Sequence, residues 1–160
     1  PMNVYGGGGH PSYDEIWDGV LSAGRHIFGI AVDDSHHFKG DFKPSKANPG
    51  RGWLMVEAPK LSVDGIVDAL AAGRFYASTG IYLAELDLSA ETVALRVVPM
   101  GDQVYRTEFI GRGGAKLGEE VGESATYRVR GDEGYVRARV TGSGGWRAWT
   151  QPIFTSENAD

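Results

Sequence analysis

The sequence predicts an α+β protein in two parts: a partial α/β segment over residues 1–81, then a small antiparallel β-sandwich over residues 82–160. Three observations predict this. Helical and strand-like patterns alternate up to Gly80. Beyond it the helical period disappears, and short strand-like runs follow one another between glycines. Apolar residues make up 41% of the 160, enough to build a core and to exclude wholesale disorder.

The opening Pro1-Met2-Asn3-Val4-Tyr5 is apolar and runs into Gly6-Gly7-Gly8-Gly9, which reads as the interior of a loop in a longer polypeptide. Residues 12–24 read as a helix. Ser12 followed by Glu15 is a capping box, and Asp14 and Asp18 suit the positive end of the helix dipole. Ile16, Trp17, Val20 and Leu21 share one face, and Gly24 is the stop. Residues 26–32, His-Ile-Phe-Gly-Ile-Ala-Val, form a short apolar run that reads as a buried, parallel strand. A polar loop with Pro44 and Pro49 follows. Residues 53–58 read as a second strand, and Ser62 caps a helix to about Ala72 with Ile66, Val67 and Leu70 inward. Phe75-Tyr76-Ala77 reads as a third strand. Residues 83–88, 92–98, 103–110, 124–130, 135–141 and 146–154 read as the strands of the sandwich.

Composition narrows the function. The absence of cysteine excludes disulfides, a cysteine nucleophile and thiolate metal sites. The net charge of −5 is spread evenly with no basic block, which argues against a nucleic-acid partner. No apolar run approaches the roughly 20 residues of a membrane-spanning helix, so no membrane partner is expected.

The chemistry concentrates in Asp33-Asp34-Ser35-His36-His37, directly after the apolar run. Strand carboxyl ends hold ligands in parallel sheets, because loops converge there over a rigid base. In an extended chain, residues two apart point the same way. Asp34 and His36 therefore project together, and a carboxylate beside an imidazole suits Zn²⁺, Mn²⁺ or Fe²⁺. Asp33 and His37 point the other way, to orient the ligands or hold the loop. The alternative is a polar loop with Asp capping turns and His in solvent. Ser78 and Thr79 form a second candidate: a strand at 75–77 parallel to 27–32 brings their hydroxyls to the same edge, where they bind an oxyanion, or else they make an ordinary turn. His10 lies in a glycine-rich loop, as an anion or metal contact or a solvated side chain. His26, at the opposite end of the apolar run from Asp34, reads as structural. Trp53, Trp146 and Trp149 read as packing, with Trp146 and Trp149 alternatively marking a sugar or partner surface.

Several of these segments together resemble the C-terminal part of PHP-type metal-dependent phosphoesterases, the polymerase and histidinol phosphatase superfamily. They are Ile16-Trp17-Asp18, Gly24-Arg25, Gly29 through Phe38, Gly52-Trp53, Ala69-Leu70, Gly73-Arg74-Phe75-Tyr76 and Ser78-Thr79-Gly80, with Ala148 through Phe154 resembling an appended β-rich module. The resemblance implies a fragment of a distorted (β/α)7 barrel over 1–81 and a hydrolase acting on a small phosphorylated substrate. It implies divalent metal cofactors (Mn, Fe or Zn) held by Asp34 and His36, with Asp33, His37, Ser78 and Thr79 around them. The family's His-x-His motif and its other ligands have no counterpart here. The resemblance therefore implies a corner of a metal cluster, completed by an upstream segment or another chain, with self-association as a further possibility. The competing expectation is a binding module whose β-sandwich docks a glycan or partner domain.

Overall fold

The structure, a computed structural model, describes residues 12–40, 42–43 and 46–155. Two antiparallel sheets share one core. The larger contains β1 (Trp53–Val56), β2 (Phe75–Ser78), β5 (Tyr105–Gly111), β6 (Ala115–Val121), β8 (Tyr135–Gly142) and β9 (Arg147–Thr150), in the order β1-β2-β9-β8-β5-β6. The two-residue β10 (Ile153–Phe154) pairs with the start of β8, where β9 no longer runs alongside. The smaller sheet is β3 (Leu83–Leu88), β4 (Thr92–Val97) and β7 (Ser124–Arg128), in the order β3-β4-β7.

Strand alternation builds the core. Val93, Leu95 and Val97 of β4, with Ala125 of β7, face Tyr105 and Phe109 of β5, Val136, Ala138 and Val140 of β8, and Ala148 of β9. Tyr76 joins them from β2, and its hydroxyl accepts the Leu83 N–H at 2.9 Å as the chain passes to the smaller sheet. One sheet therefore takes strands from both sides of residue 81.

The central strand β8 is covered on both faces. Its outward residues Tyr135, Arg137 and Arg139 meet helix α1 (Tyr13–Ser22), which begins at the Ser12–Glu15 capping box. Asp14 and Asp18, one helical turn apart, point at the sheet. Asp18 takes two hydrogen bonds from Arg137, 2.7 and 2.8 Å, and one from the Tyr135 hydroxyl, 2.8 Å. Arg139 bridges Asp14 at 2.9 Å and its cross-strand neighbour Glu108 at 2.7 Å. The Trp17 ring lies over the Arg137 guanidinium, 4.8 Å to its centroid. The buried face of α1 is thus carboxylate and indole as much as aliphatic, while Ile16 is exposed. The second helix, α2 (Val63–Ala71), is capped by Ser62, buries Ala69 fully and links β1 to β2.

The expected fold class is overturned. A fragment of a (β/α)7 barrel requires parallel strands joined by helical crossovers, but the chain is mostly β, every strand pairing among the described residues is antiparallel, and those residues contain two α-helices. Two physical reasons account for this. Residues 26–32 join no sheet, and Phe75–Ser78 is hydrogen-bonded on both sides, to β1 and to β9, leaving no edge for a parallel neighbour. The unbroken apolar run was compatible with a buried strand, yet Ile27, Phe28, Ile30 and Val32 are all exposed.

Two phenols, Tyr135 buried and Tyr127 half-buried, are expected to make the fold sensitive to alkali. Burial, then the hydrogen bond to and charge of Asp18, push the Tyr135 hydroxyl up to about 12. Burial, then Glu133, do the same to Tyr127, whose hydroxyl donates to Glu133 at 2.9 Å. A folded-state pKa above the unfolded value of about 10 contributes stability that is complete below pH ~10 and disappears as pH rises through ~12. The melting temperature is therefore expected to fall across pH 10–12. Tyr127→Phe combined with Tyr135→Phe is expected to flatten that fall, and an unchanged profile in the double variant would contradict the assignment.

Candidate functional site

Residues 26–29 are fastened to the β-module by side chains. The Gly29 N–H donates to Gln151 Oε1 at 2.8 Å, and the Gly29 carbonyl accepts from Gln151 Nε2 at 2.9 Å. The Trp17 indole N–H donates to the Ile27 carbonyl at 3.1 Å. Its ring fills the space beside Gly29, where a Cβ would lie 2.6 Å from a ring carbon, so only glycine fits. The His26 ring stacks on Phe154 with centroids 3.7 Å apart and planes 4° from parallel. Phe28 meets Phe75 edge-on at 5.8 Å.

Asp33 closes the next anchor. Its carboxylate accepts the backbone N–H groups of Gly50 at 3.0 Å, Arg51, and Gly52 at 2.7 Å, while the Arg51 guanidinium donates to the Asp33 carbonyl and, at 3.2 Å, to that of Asn48. Burial raises the Asp33 carboxyl, but the three N–H groups outweigh it and hold the pKa below its ordinary value. Across the same loop, the N–H groups of His36 and His37 donate to the Ala47 carbonyl at 2.9 and 3.0 Å, and Asn48 Nδ2 donates to the His37 carbonyl at 3.0 Å. Residues 33–37 and 47–52 therefore form one stapled unit.

Asp34 and His36 stand out from this unit. Their side chains are 87% and 67% exposed, and His36 Nε2 lies 4.0 Å from Asp34 Oδ1. Asp34 has a φ of +50°, a region that Asp enters more readily than most residues. His36 Nδ1 lies 2.7 Å from the Asp34 carbonyl oxygen. A carbonyl only accepts, so Nδ1 is the donor in this contact, and Nε2 is the ring nitrogen turned toward Asp34. That is the arrangement of a metal-ligating imidazole, whose second ring nitrogen is held by a backbone carbonyl or carboxylate. Two donors on one ion, each about 2.1 Å away, lie roughly 3–3.5 Å apart, somewhat closer than the 4.0 Å between these two atoms. Among the described residues no three His, Cys, Asp or Glu side chains converge in a group that could hold a metal ion.

The other sequence-selected residues lie elsewhere. Ser78 is fully buried in a turn, donating to the Ile81 carbonyl at 2.7 Å and accepting the Gly80 and Ile81 N–H groups, both at 3.0 Å. Thr79 pairs with Arg147, taking its N–H on Oγ1 at 2.8 Å and donating its own N–H to the Arg147 carbonyl at 2.9 Å. None of these bonds reaches residues 33–37. The His37 ring is exposed, and its backbone serves the loop. His10 and Gly6–Gly9 lie outside the described residues. Asn48, Arg51 and Gln151 were not singled out by sequence. The turn composition Asn48-Pro49-Gly50 hinted at the first two, whereas Gln151 is 122 positions from Gly29 and no local pattern signals it.

Comparison with protein-family models, curated proteins and solved structures found no match.

If Asp33 is the staple, Asp33→Ala opens the loop without melting the sandwich. It leaves three N–H groups without their acceptor, of which only that of Gly52 belongs to a buried residue, where the loss costs roughly 1–3 kcal/mol. Amide exchange at Gly50–Gly52 is expected to rise at least tenfold, with protection in β8 unchanged. Unaltered exchange at Gly50–Gly52 would contradict this role.

Proposed function

We propose that residues 33–37 form one corner of a divalent-metal site in a phosphoester hydrolase. Asp34 and His36 are the ligands, and the remaining ligands come from another segment of the polypeptide or another chain. The observation that carries this reading is the His36 imidazole, anchored through Nδ1 with Nε2 open toward the Asp34 carboxylate. Two further points support it. The resemblance of Ala31 through Phe38 to the ligand segment of metal-dependent phosphoesterases supplies the reaction class. The exposed Ile27, Ile30 and Val32 leave apolar surface beside the pair, the kind that marks a contact with further polypeptide.

Asp34 and His36 would hold the divalent ion, whose contribution would be a water of lowered pKa and polarisation of a phosphoryl oxygen. The chain's own residues prepare the corner. Asp33, tied to three backbone N–H groups, fixes the loop from below and stays ionised. The Asp34 carbonyl sets the His36 tautomer, and the Asp34 carboxylate offers the negative charge that an oxygen-loving ion requires.

The alternative, a glycan or partner surface on Trp146 and Trp149, has less support. Trp149 Nε1 faces Asp14 of α1 at 3.4 Å, and Trp146, 42% exposed, packs over Gly80.

Titration of the isotope-labelled 160-residue chain with Mn²⁺ tests the metal reading. The His36 ring signals are expected to broaden at lower Mn²⁺ than those of His26 and His37, and Asp34→Ala is expected to abolish that preference. In the completed site, His36→Ala is expected to lower bound metal and hydrolysis of an aryl phosphate together, by about 100-fold or more. Equal broadening of His26, His36 and His37, or full turnover in His36→Ala, would overturn the proposal.

A further inference from the structure

We propose that Gln151 is a positioning residue for the Asp34–His36 pair. It stands in for the neighbouring strand that residues 26–32 lack and sets the register in which they deliver the pair. This inference rests on the metal reading of that pair.

Residues 26–32 have the composition of a strand but make no ladder pairing among the described residues. An unpaired apolar segment has weakly specified register, and a slip of one residue turns every side chain to the opposite face. The Gln151 amide removes that freedom at one point. A strand neighbour would offer one acceptor and one donor to the same residue, and Oε1 and Nε2 offer the same two functions to Gly29 at 2.8 and 2.9 Å. Gln151 is 2% exposed, so water competes little for either bond.

The site around it admits one residue only. The Trp17 ring occupies the volume a side chain at position 29 would need, so Ile27, Phe28 or Ile30 cannot replace Gly29 opposite Gln151. Gln151 itself is fixed by its place between β9, whose Thr150 pairs with Tyr76 and accepts the Ala138 N–H on Oγ1 at 2.8 Å, and β10. The His26–Phe154 stack holds the same strip three residues upstream. From Gly29 the chain runs four residues to the Asp33 staple and then directly into Asp34. With both ends fixed, Asp34 and His36 leave the module at a set point. The β-module thereby acts on the metal corner while contributing no ligand to it.

The test uses the full 160-residue chain with Gln151→Met, which keeps length and volume and removes both hydrogen bonds. Two readouts are taken: amide exchange at Gly29, and Mn²⁺-induced broadening of the His36 ring. The expected result is at least tenfold faster exchange at Gly29 and a severalfold higher Mn²⁺ concentration for the same broadening at His36, with Val136–Val140 protection intact. If Gln151→Met loses Val136–Val140 protection, Gln151→Glu carries the test, because it keeps the shape and sets a carboxylate oxygen against the Gly29 carbonyl. It is expected to show the same loss at His36. Wild-type broadening at His36 despite rapid Gly29 exchange overturns the positioning role and leaves the metal reading standing. Unchanged Gly29 exchange in Gln151→Met overturns the clamp itself. Absence of preferential His36 broadening in the wild-type chain overturns the metal reading, and the positioning role with it, whatever Gly29 does.

Discussion

Arg137 lies fully buried, and the placement of α1 depends on how its guanidinium is satisfied. The guanidinium sits on the outer face of the central strand, against α1. It is balanced by the paired bonds to Asp18, a 3.6 Å approach of Asp14, and the Trp17 ring above it. Such a buried pair adds little stability over an apolar replacement, but separating the partners costs about 3–5 kcal/mol. The helix is therefore specified rather than merely adhered. An alternative placement of α1 on this sheet leaves Arg137 without its counter-charge.

That specification is passed on through Trp17. The same ring that covers Arg137 closes the space over Gly29, and its N–H holds the Ile27 carbonyl. The segment leading to Asp34 and His36 is thus pinched between α1 and Gln151, and a few residues later it is fixed again by Asp33. The result separates rigidity from exposure. The backbone under the candidate ligands is anchored on both sides, while the two side chains that would meet an ion stand in solvent.

Much of this architecture is legible in the residues. The alternation in Leu83–Leu88 and Thr92–Val97 gives two strands facing one core, and Ser12 with Glu15 and Ser62 mark both helix starts. The class departs from the pattern at two places, residues 26–32, which join no sheet, and Phe75–Ser78, which is flanked by antiparallel strands on both sides. A seven-residue apolar run has the same signature whether or not a neighbouring strand covers it, and period alone carries no information about partners. The face of α1 was misjudged for a related reason: Asp18 reads as a dipole partner and Ile16 as core, whereas a buried guanidinium inverts that preference. Strand β6 was overlooked because Ala115–Val121 is largely exposed and carries lysine and glutamates at the sheet edge. In the candidate site, Asp33, Asp34 and His36 stand out by composition. Their division into one loop staple and two presented side chains depends on Arg51 and the turn at Gly50, and the hold on Gly29 comes from the far end of the chain.

The charge buried under α1 governs the segment bearing Asp34 and His36. Residue-resolved hydrogen exchange of an Asp18→Asn variant tests this most directly. Exchange is expected to quicken through residues 27–36, with the Val93–Val97 amides of the smaller sheet as slow as in the unaltered chain. Exchange through residues 27–36 that stays at the unaltered rate while the α1 amides open would contradict it.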